Sequence, residues 1–220
     1  MIEVEVKAKL NNKKELIGKL KSINAIYSHR EIQNDIYYER NDIQFAKNDK
    51  ALRIREIEVN NEKIVKITYK GSKIEDKSKT REEIEIAIED KDKMRSIFDR
   101  LMFIESGNVK KTRDIYKYKM LNNSLNNNLN ENLDENFEIC IDNVEGLGNF
   151  VEIEIAIDEE INDDELINDK KVNNNDAKIK NKHVEIAIEK IYELFKELGI
   201  NDGFERRSYL ELLENKIKNL

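Results

Sequence analysis

Residues 150–157 have the sequence FVEIEIAI, in which apolar and acidic side chains alternate. Successive side chains of a strand point to opposite faces, so the aliphatic odd-numbered positions 151–157 would share one face and Glu152 and Glu154 the other. In an ordinary antiparallel sheet the apolar face packs on a core and the polar face meets water. That arrangement explains any single strand of this kind, so the other strands decide which way the charged faces point.

Pairs of like charges, two residues apart, recur in the predicted strands. The doublets are Glu3 and Glu5, Arg53 and Arg55, Glu83 and Glu85, Lys111 and Arg113, and Glu152 and Glu154. Thr and Ser would serve as well on a face that only meets water. We therefore predict a barrel with the charged faces inside and the aliphatic faces outside, which also removes exposed strand edges. Buried charges must be paired or bind a ligand, and carboxylates together with Lys and Arg suit a metal–polyphosphate complex.

The order of predicted elements repeats along the chain. Residues 3–5 lead through a helix to residues 34–37, and residues 83–85 lead through a second helix to residues 113–116. Each half is therefore a strand, a helix and three strands. Two such halves supply about eight strands, a number that can close into a barrel. We predict an α+β fold: a closed antiparallel eight-stranded β-barrel with helices packed outside and two pseudo-repeated halves.

The boundaries of these elements follow from periodicity and capping signals. The predicted strands are 2–9, 31–39, 51–58, 64–70, 82–89, 110–118, 137–144 and 150–157. The first helix begins at Asn11 or Asn12, the second covers about 92–103 and the third covers about 183–198. A last helix begins at Ser208, because Ser208 and Glu211 have the spacing of a capping box.

Length and composition favour one domain over residues 1–220. Of the 220 residues 39% are hydrophobic and 39% charged, and the net charge is −7. A chain that binds bulk nucleic acid or an anionic membrane would normally be basic, so we expect neither partner. No apolar run approaches the length of a membrane span and no signal peptide is recognised, so we expect a soluble cytoplasmic protein.

Two segments and one side chain stand apart from the strand pattern. The Asn-rich residues 121–136 and the polar residues 159–182 are predicted to be mobile inserts. Their composition favours plain loops, and a functional lid is the alternative.

Cys140 is the single cysteine, so no internal disulfide can form. We interpret it as a small strand residue.

Specific motifs occur in a fixed order along almost the whole chain apart from the inserts. They are Glu3-Val4-Glu5-Val6-Lys7, QNDIYY at 33–38, LRIR at 52–55, TYKG at 68–71, REEIE at 81–85, KTR at 111–113 and DNVEGLGNFVEIE at 142–154. This ordered set resembles the CYTH domain of the triphosphate tunnel enzymes. That family includes class IV adenylyl cyclases, thiamine triphosphatases and inorganic triphosphatases.

The resemblance implies roles for individual residues. The metal-binding carboxylates would be Glu3, Glu5, Asp142, Glu152 and Glu154. The triphosphate-binding cations would be Lys7, Arg53, Arg55, Lys70, Arg81, Lys111 and Arg113, with Lys7, Lys111 and Arg113 taking a catalytic part. Glu83 and Glu85 would orient these cations, join a second metal site or form salt bridges in the lumen, while Asp35 and Tyr37 are interpreted as structural. Carboxylate ligands imply Mg²⁺ or Mn²⁺ as the cofactor.

Three functions agree with these motifs. The tail 208–213 is similar to that of cyclase-like members, which favours conversion of ATP to cyclic AMP and pyrophosphate. The alternative is a triphosphatase acting on an inorganic, nucleoside or thiamine triphosphate, although the chain has no Trp to stack on a thiamine ring. A third hypothesis is a module that binds a triphosphate or polyphosphate without turnover. In each case the partner is a small-molecule triphosphate, and because some relatives dimerise, a homodimer stays open.

Overall fold

The computed structural model describes residues 2–72, 80–120, 136–157 and 174–218, with residues 174–181 described as backbone. Within these ranges the chain forms eight strands that close into one antiparallel barrel in the order β1-β5-β4-β3-β2-β6-β7-β8. The predicted fold class is therefore confirmed. None of the helices within these ranges combines the length and the apolar character that crossing a membrane requires.

The barrel strands are longer than predicted at several ends. They are β1 (Ile2–Lys9), β2 (Ile26–Glu39), β3 (Ala51–Val59), β4 (Glu62–Lys70), β5 (Arg81–Ile88), β6 (Ile104–Lys119), β7 (Asn136–Val144) and β8 (Gly148–Ile157). The helices are α1 (Lys13–Ser22), α2 (Lys91–Arg100), α3 (Asn174–Glu197) and α4 (Tyr209–Lys218), with a short 3₁₀ turn at Ala46–Asn48. Asn12 caps α1 as predicted, since its side chain accepts a hydrogen bond from the Glu15 backbone N–H.

The two predicted halves exchange their first strands. Strands β2, β3 and β4 form one meander, and β6, β7 and β8 form the other. However, β1 pairs along its whole length with β8 of the second half, and β5 pairs with β4 of the first. Direct pairing of β1 with β5 is confined to two residue pairs, Ile2 with Glu82 and Glu3 with Arg81. Neither half could therefore close the barrel without the other.

The apolar core lies outside the barrel. Aliphatic side chains on the outer faces of β1, β7 and β8 pack against Leu16 and Leu20 of α1 and against Ile191 and Phe195 of α3. A second outer cluster joins β2 and β3 to Phe98 of α2. The helices thus cover the outer aliphatic faces of β1, β7 and β8 and a part of β2 and β3, whereas Ile84 and Ile86 on β5 stay more than half exposed. The charged faces lie on the lumen side.

The predicted bounds of both inserts are wrong, since Asn136, assigned to the first insert, begins β7. Helix α3 begins at Asn174, inside the segment 159–182 that was predicted to be a loop. Residues 174–182 contain no Gly or Pro, and their Lys and Ala residues are good helix formers, so the helix extends through an Asn-rich composition that suggested a loop. The remaining predicted insert residues, 121–135 and 159–173, lie outside the described residues.

Candidate active site

The barrel lumen contains a cavity of ≈ 300 Å³ that is partly open to solvent and has a mostly charged wall. Twelve of the predicted site residues line it: Glu3, Glu5, Arg53, Arg55, Lys70, Arg81, Glu83, Glu85, Lys111, Arg113, Glu152 and Glu154. Strand alternation brings them together, because each doublet keeps both members on the inner face of its strand. The prediction that the charged faces point inward is confirmed for these residues.

Three carboxylates form one cluster on the β1–β8 side of the cavity. Glu3, Glu5 and Glu154 each offer an oxygen, and the three oxygens lie within 4.8 Å of one another. Glu5 and Glu154 face each other directly in the β1–β8 register. Burial raises the pKa of Glu154 well above its usual range, and the nearby Glu3 adds to this effect. Burial likewise raises the pKa of Glu3, although the charge of Lys70 partly offsets it.

The donor atoms of this cluster fit a hard divalent cation. All three are carboxylate oxygens, which Mg²⁺ and Mn²⁺ accept, whereas Zn²⁺ prefers His or Cys. Carboxylates that repel one another in a buried site gain most from a bound cation, because the cation favours their charged forms. Glu3, Glu5 and Glu154 therefore form the best metal site among the described carboxylates.

The opposite side of the cavity carries the guanidinium groups of β3. Arg55 makes a two-pronged contact with Asp35, with Nε 2.6 Å from Oδ1 and Nη2 2.7 Å from Oδ2, and Arg53 Nη1 lies 3.4 Å from Oδ2. Burial alone would raise the pKa of Asp35, but Arg55 and Arg53 outweigh it and lower that pKa. Asp35 thus holds both guanidinium groups in place, in agreement with its interpretation as structural.

Asp142 lies behind the cations instead of beside the carboxylate cluster. Arg113 donates to it through Nε (2.7 Å to Oδ1) and Nη2 (2.7 Å to Oδ2), and Lys111 Nζ lies 2.9 Å from Oδ2. The Tyr209 hydroxyl donates a further bond of 2.9 Å to Oδ2. Burial alone would raise the pKa of Asp142, but Arg113 and Lys111 overcome this and lower it. In this arrangement Asp142 orients Arg113 and Lys111 toward the lumen.

The same network sets the charge of the two cations. Burial lowers the pKa of Lys111, and the neighbouring Arg113 lowers it further. Burial also opposes the charge of Arg113, but Asp142 outweighs it and raises that pKa. Glu152, predicted as a metal ligand, contacts Arg113 Nη2 through its carboxylate. Among the predicted metal ligands, Asp142 and Glu152 are thus on the cation network, apart from the cluster formed by the other three.

Lys7 lies at the end of the cavity and is absent from its lining. Its Nζ donates to the Arg207 carbonyl oxygen at 2.6 Å and sits 4.0 Å from the centre of the Tyr209 ring. Lys70 is different, because its Nζ contacts Glu83 and lies 3.8 Å from Glu3, at the border between carboxylates and cations. Glu85 accepts bonds from Lys66 and Thr68, which is the salt-bridging role considered for it.

The C-terminal helix covers the end of the cavity near Lys7. Tyr209 packs edge-on against Phe150 with ring centres 5.2 Å apart, within a small apolar cluster that includes Val109 and Val144. The predicted capping box is present, with the Glu211 carboxylate accepting from the Ser208 N–H and the Ser208 hydroxyl accepting from the Glu211 N–H.

Sequence reasoning missed several residues of the wall. They are Glu31, Gln33, Lys66, Glu138 and Tyr209. Lys66 and Glu138 lie four residues from the recognised site residues Lys70 and Asp142 on the same strands, and Glu31 and Gln33 lie four and two residues from Asp35, so strand alternation could have identified them. No local pattern identifies Tyr209, because its place depends on how α4 packs on the barrel.

Comparisons with known proteins agree with this architecture. The model of the CYTH domain matches residues 1–209. A protein of Methanocaldococcus jannaschii, provisionally named an adenylate cyclase, is 38% identical over 213 residues, or 96% of this chain and 98% of that protein. A solved structure from Pyrococcus horikoshii is 38% identical with a TM-score of 0.73 and covers 97% of this chain and 99% of that one. A conserved hypothetical protein of Pyrococcus furiosus is 29% identical with a TM-score of 0.66, covering 96% and 99% respectively. The chain therefore belongs to the CYTH family, whose barrel is a triphosphate tunnel.

Proposed function

We propose that this protein is a metal-dependent enzyme that converts ATP to cyclic AMP and pyrophosphate. The observation that carries the proposal is that the lumen of one closed barrel places a carboxylate cluster on one side and a set of buried guanidinium and ammonium groups on the other. The similarity to a protein provisionally named an adenylate cyclase supports the choice of reaction.

The residues divide into two roles. Arg53, Arg55 and Arg113 would bind phosphate oxygens, since a guanidinium group matches phosphate with paired N–H donors. Their partners Asp35 and Asp142 hold them in position before the substrate arrives, so little reorganisation is needed when charge develops on the leaving phosphates. Lys70, between the two sides, would contact both phosphate and carboxylate.

The carboxylate cluster would hold the metal. Glu3, Glu5 and Glu154 would be its protein ligands. A bound divalent cation supplies charge neutralisation at the phosphates and helps to orient the attacking oxygen. Lys111 and Arg113 remain the cations proposed to stabilise the transition state. Lys7 donates to the Arg207 carbonyl oxygen and does not line the cavity, so its contact with a phosphate would require a rearrangement of the C-terminal segment.

Hydrolysis of a triphosphate is the second candidate. Most side chains of the cavity wall are charged. They are suited to bind the phosphate chain, and they offer fewer contacts to a base or a sugar. Both reactions use the same binding groups and differ in the attacking oxygen, which is the ribose 3′-hydroxyl in the cyclase and water in the triphosphatase.

The products of turnover test this proposal. The purified protein is incubated with ATP, inorganic triphosphate or thiamine triphosphate, in Mg²⁺ or Mn²⁺ and separately in excess chelator. Cyclic AMP and pyrophosphate support the cyclase, whereas orthophosphate supports the triphosphatase. Binding of all three compounds without turnover would contradict both and favour a binding module.

Matched arginine variants connect the turnover to the cavity. Arg53→Gln removes a guanidinium group that lines the cavity, and we expect kcat/KM to fall at least about tenfold. Arg40→Gln is the control, because Arg40 is paired with Asp42 outside the barrel. Equal activity of Arg53→Gln and Arg40→Gln would show that turnover does not depend on the cavity.

A further inference from the structure

Gln33 presents a buried oxygen that has no hydrogen-bond partner within the described part of the chain. The residue is 2% exposed, and its Oε1 is one of three such side-chain atoms. The other two are Tyr38 Oη and Arg53 Nε. Oε1 differs from both because an amide oxygen can only accept. A buried polar atom left unpaired costs about 1–3 kcal/mol, so Oε1 calls for a ligand that satisfies it.

The orientation of this amide is determined by its neighbours. Gln33 Nε2 donates to a carboxylate oxygen of Glu31. The other oxygen of Glu31 lies 3.1 Å from His29 Nε2, and His29 Nδ1 lies 2.9 Å from the Ser28 hydroxyl. Turning the amide over would bring its oxygen against the Glu31 carboxylate, two acceptors facing each other. Oε1 is therefore kept in its place by a chain of contacts along β2.

The surroundings of Oε1 restrict what can bind there. Gln33 lines the cavity, and its register partners are Ile57 on β3 and Lys111 on β6. This is the side of the cavity where the phosphates would bind. Ionised phosphate oxygens are acceptors and cannot donate to Oε1. The ligand that satisfies Oε1 must therefore present an O–H or N–H group close to the phosphates.

We propose that Gln33 is a positioning residue whose Oε1 accepts a hydrogen bond from the O–H group that attacks phosphorus. This inference rests on the proposed function, because that reaction brings one O–H oxygen to the phosphate chain. The attacking oxygen forms the new P–O bond, and the bridging P–O bond breaks with its electron pair passing to the leaving phosphate. The proton of the attacking O–H also passes to the leaving phosphate. Gln33 takes no proton; it holds the O–H in line.

Gln33→Met is the main test, since Met keeps the length of the side chain and removes the acceptor. We expect kcat to fall about tenfold to a hundredfold, the scale of a misplaced reacting group. The Kd for inorganic triphosphate, measured by calorimetry in chelator so that no turnover occurs, should change less than about twofold, because binding a phosphate chain does not use the acceptor. Gln44→Met is the control, since Gln44 is the other glutamine of the chain and is exposed.

The double variant Glu31→Gln with Gln33→Glu supplies the rescue and carries the test if Gln33→Met does not fold. Gln33→Glu alone would place two carboxylates against each other, because Gln33 Nε2 donates to Glu31. The exchange keeps an acceptor oxygen at position 33, a donor at position 31 and the net charge, so its kcat should exceed that of Gln33→Met. A wild-type kcat in Gln33→Met, or a loss of kcat matched by an equal loss of binding, would overturn the inference. The same holds if the double variant is no more active than Gln33→Met.

The products distinguish the source of the O–H group. A loss of cyclic AMP formation from ATP identifies the ribose hydroxyl, and a loss of orthophosphate release identifies water. If the wild-type protein turns over no triphosphate, both the proposed function and this inference are contradicted. Wild-type turnover with unaffected Gln33→Met would remove this inference alone.

Discussion

Arg113 and Asp142 face each other across β6 and β7 and join through two parallel hydrogen bonds, both 2.7 Å long. The Asp142 side chain is completely inaccessible to solvent. Arg40 and Asp42 make nearly the same contact at the surface, with Nε 2.7 Å from Oδ1 and Nη2 2.9 Å from Oδ2. The two Arg–Asp pairs share their geometry and differ in burial. Substitutions in the two pairs therefore compare the stability contributed by a buried pair and by an exposed pair.

Asp142→Asn should strongly destabilise the fold. It leaves Arg113 and Lys111 buried with one charge partner fewer, and breaking a buried pair costs about 3–5 kcal/mol. Because the folded state lowers the pKa of Asp142, its contribution is present above the unfolded value of 3.8 and is lost as the pH falls through the folded value. Denaturant titration at neutral and acidic pH should show the difference between the variant and wild type shrinking in acid.

Asp42→Asn is the matched control for that measurement. Its carboxylate is exposed, so water replaces the lost contact and the midpoint of unfolding should not move. Equal destabilisation by the two substitutions would show that burial does not decide the effect of Asp142.

Glu154→Gln should stabilise the metal-free protein as the pH rises. The folded state raises the pKa of Glu154, so ionisation of the wild-type side chain weakens the fold from the unfolded value of 4.5 up to the folded value. Gln cannot ionise, and the melting temperature of the variant should exceed that of wild type by a margin that widens through this range. Metal-dependent turnover should fall at least about tenfold.

Glu152→Gln is the informative comparison for Glu154→Gln. Glu152 contacts Arg113, so its replacement removes an attraction and should not raise the melting temperature. A similar gain in both variants would contradict the division between the carboxylate cluster and the cation network.

Mg²⁺ or Mn²⁺ should raise the melting temperature of wild type through Glu3, Glu5 and Glu154. A ligand at a hundred times its Kd stabilises the folded state by about 2.7 kcal/mol. Glu5→Gln should weaken this stabilisation, whereas Glu62→Gln at the exposed start of β4 should leave it unchanged. Preference for Zn²⁺, or full stabilisation of Glu5→Gln, would exclude the assigned cluster.

Gly107→Ala should loosen the docking of α4 on the barrel. A Cβ at Gly107 would overlap the Cδ1 atom of Leu210. Overpacking of this kind costs about 1–3 kcal/mol. The double variant with Leu210→Ala should recover part of that loss, because the overlapping atom is gone.

Gly18→Ala provides the reverse case. Gly18 lies within α1, where an added Cβ meets no atom within 4 Å. Removing a glycine from a helix interior should stabilise the protein by about 0.5–1 kcal/mol. Destabilisation by both glycine substitutions would show that the Leu210 contact is not the cause at Gly107.

Much of the candidate site follows from local pattern. Glu5, Arg55, Lys70, Arg113 and Glu154 line the cavity as strand alternation predicts. Which side chains share a face follows from the period of two within each strand, whereas the choice of the charged face as the inner one rests on the charge doublets of several strands together and on the apolar stripes of the helices. Capping by Asn12 is equally local.

The grouping of those side chains could not be predicted in the same way. Asp142 and Glu152 belong to acidic motifs like Glu3 and Glu5, yet they contact Arg113. Which carboxylate meets which cation depends on the register of β6, β7 and β8, and strand alternation carries no information about register between strands. The predicted start of helix α3 is too late because the Asn-rich composition before residue 183 favoured a loop.

The amino-acid sequence alone predicted which side chains share the charged face of each strand, because that depends on the parity of positions within the strand. It also determined the charged character of the cavity and the repeated order of elements. The folded structure was needed to show that β1 pairs with β8, that Glu3, Glu5 and Glu154 lie together, and that Tyr209 donates to Asp142. Those contacts join residues far apart in the chain, and their formation depends on barrel closure and on the packing of α4, which no local pattern encodes.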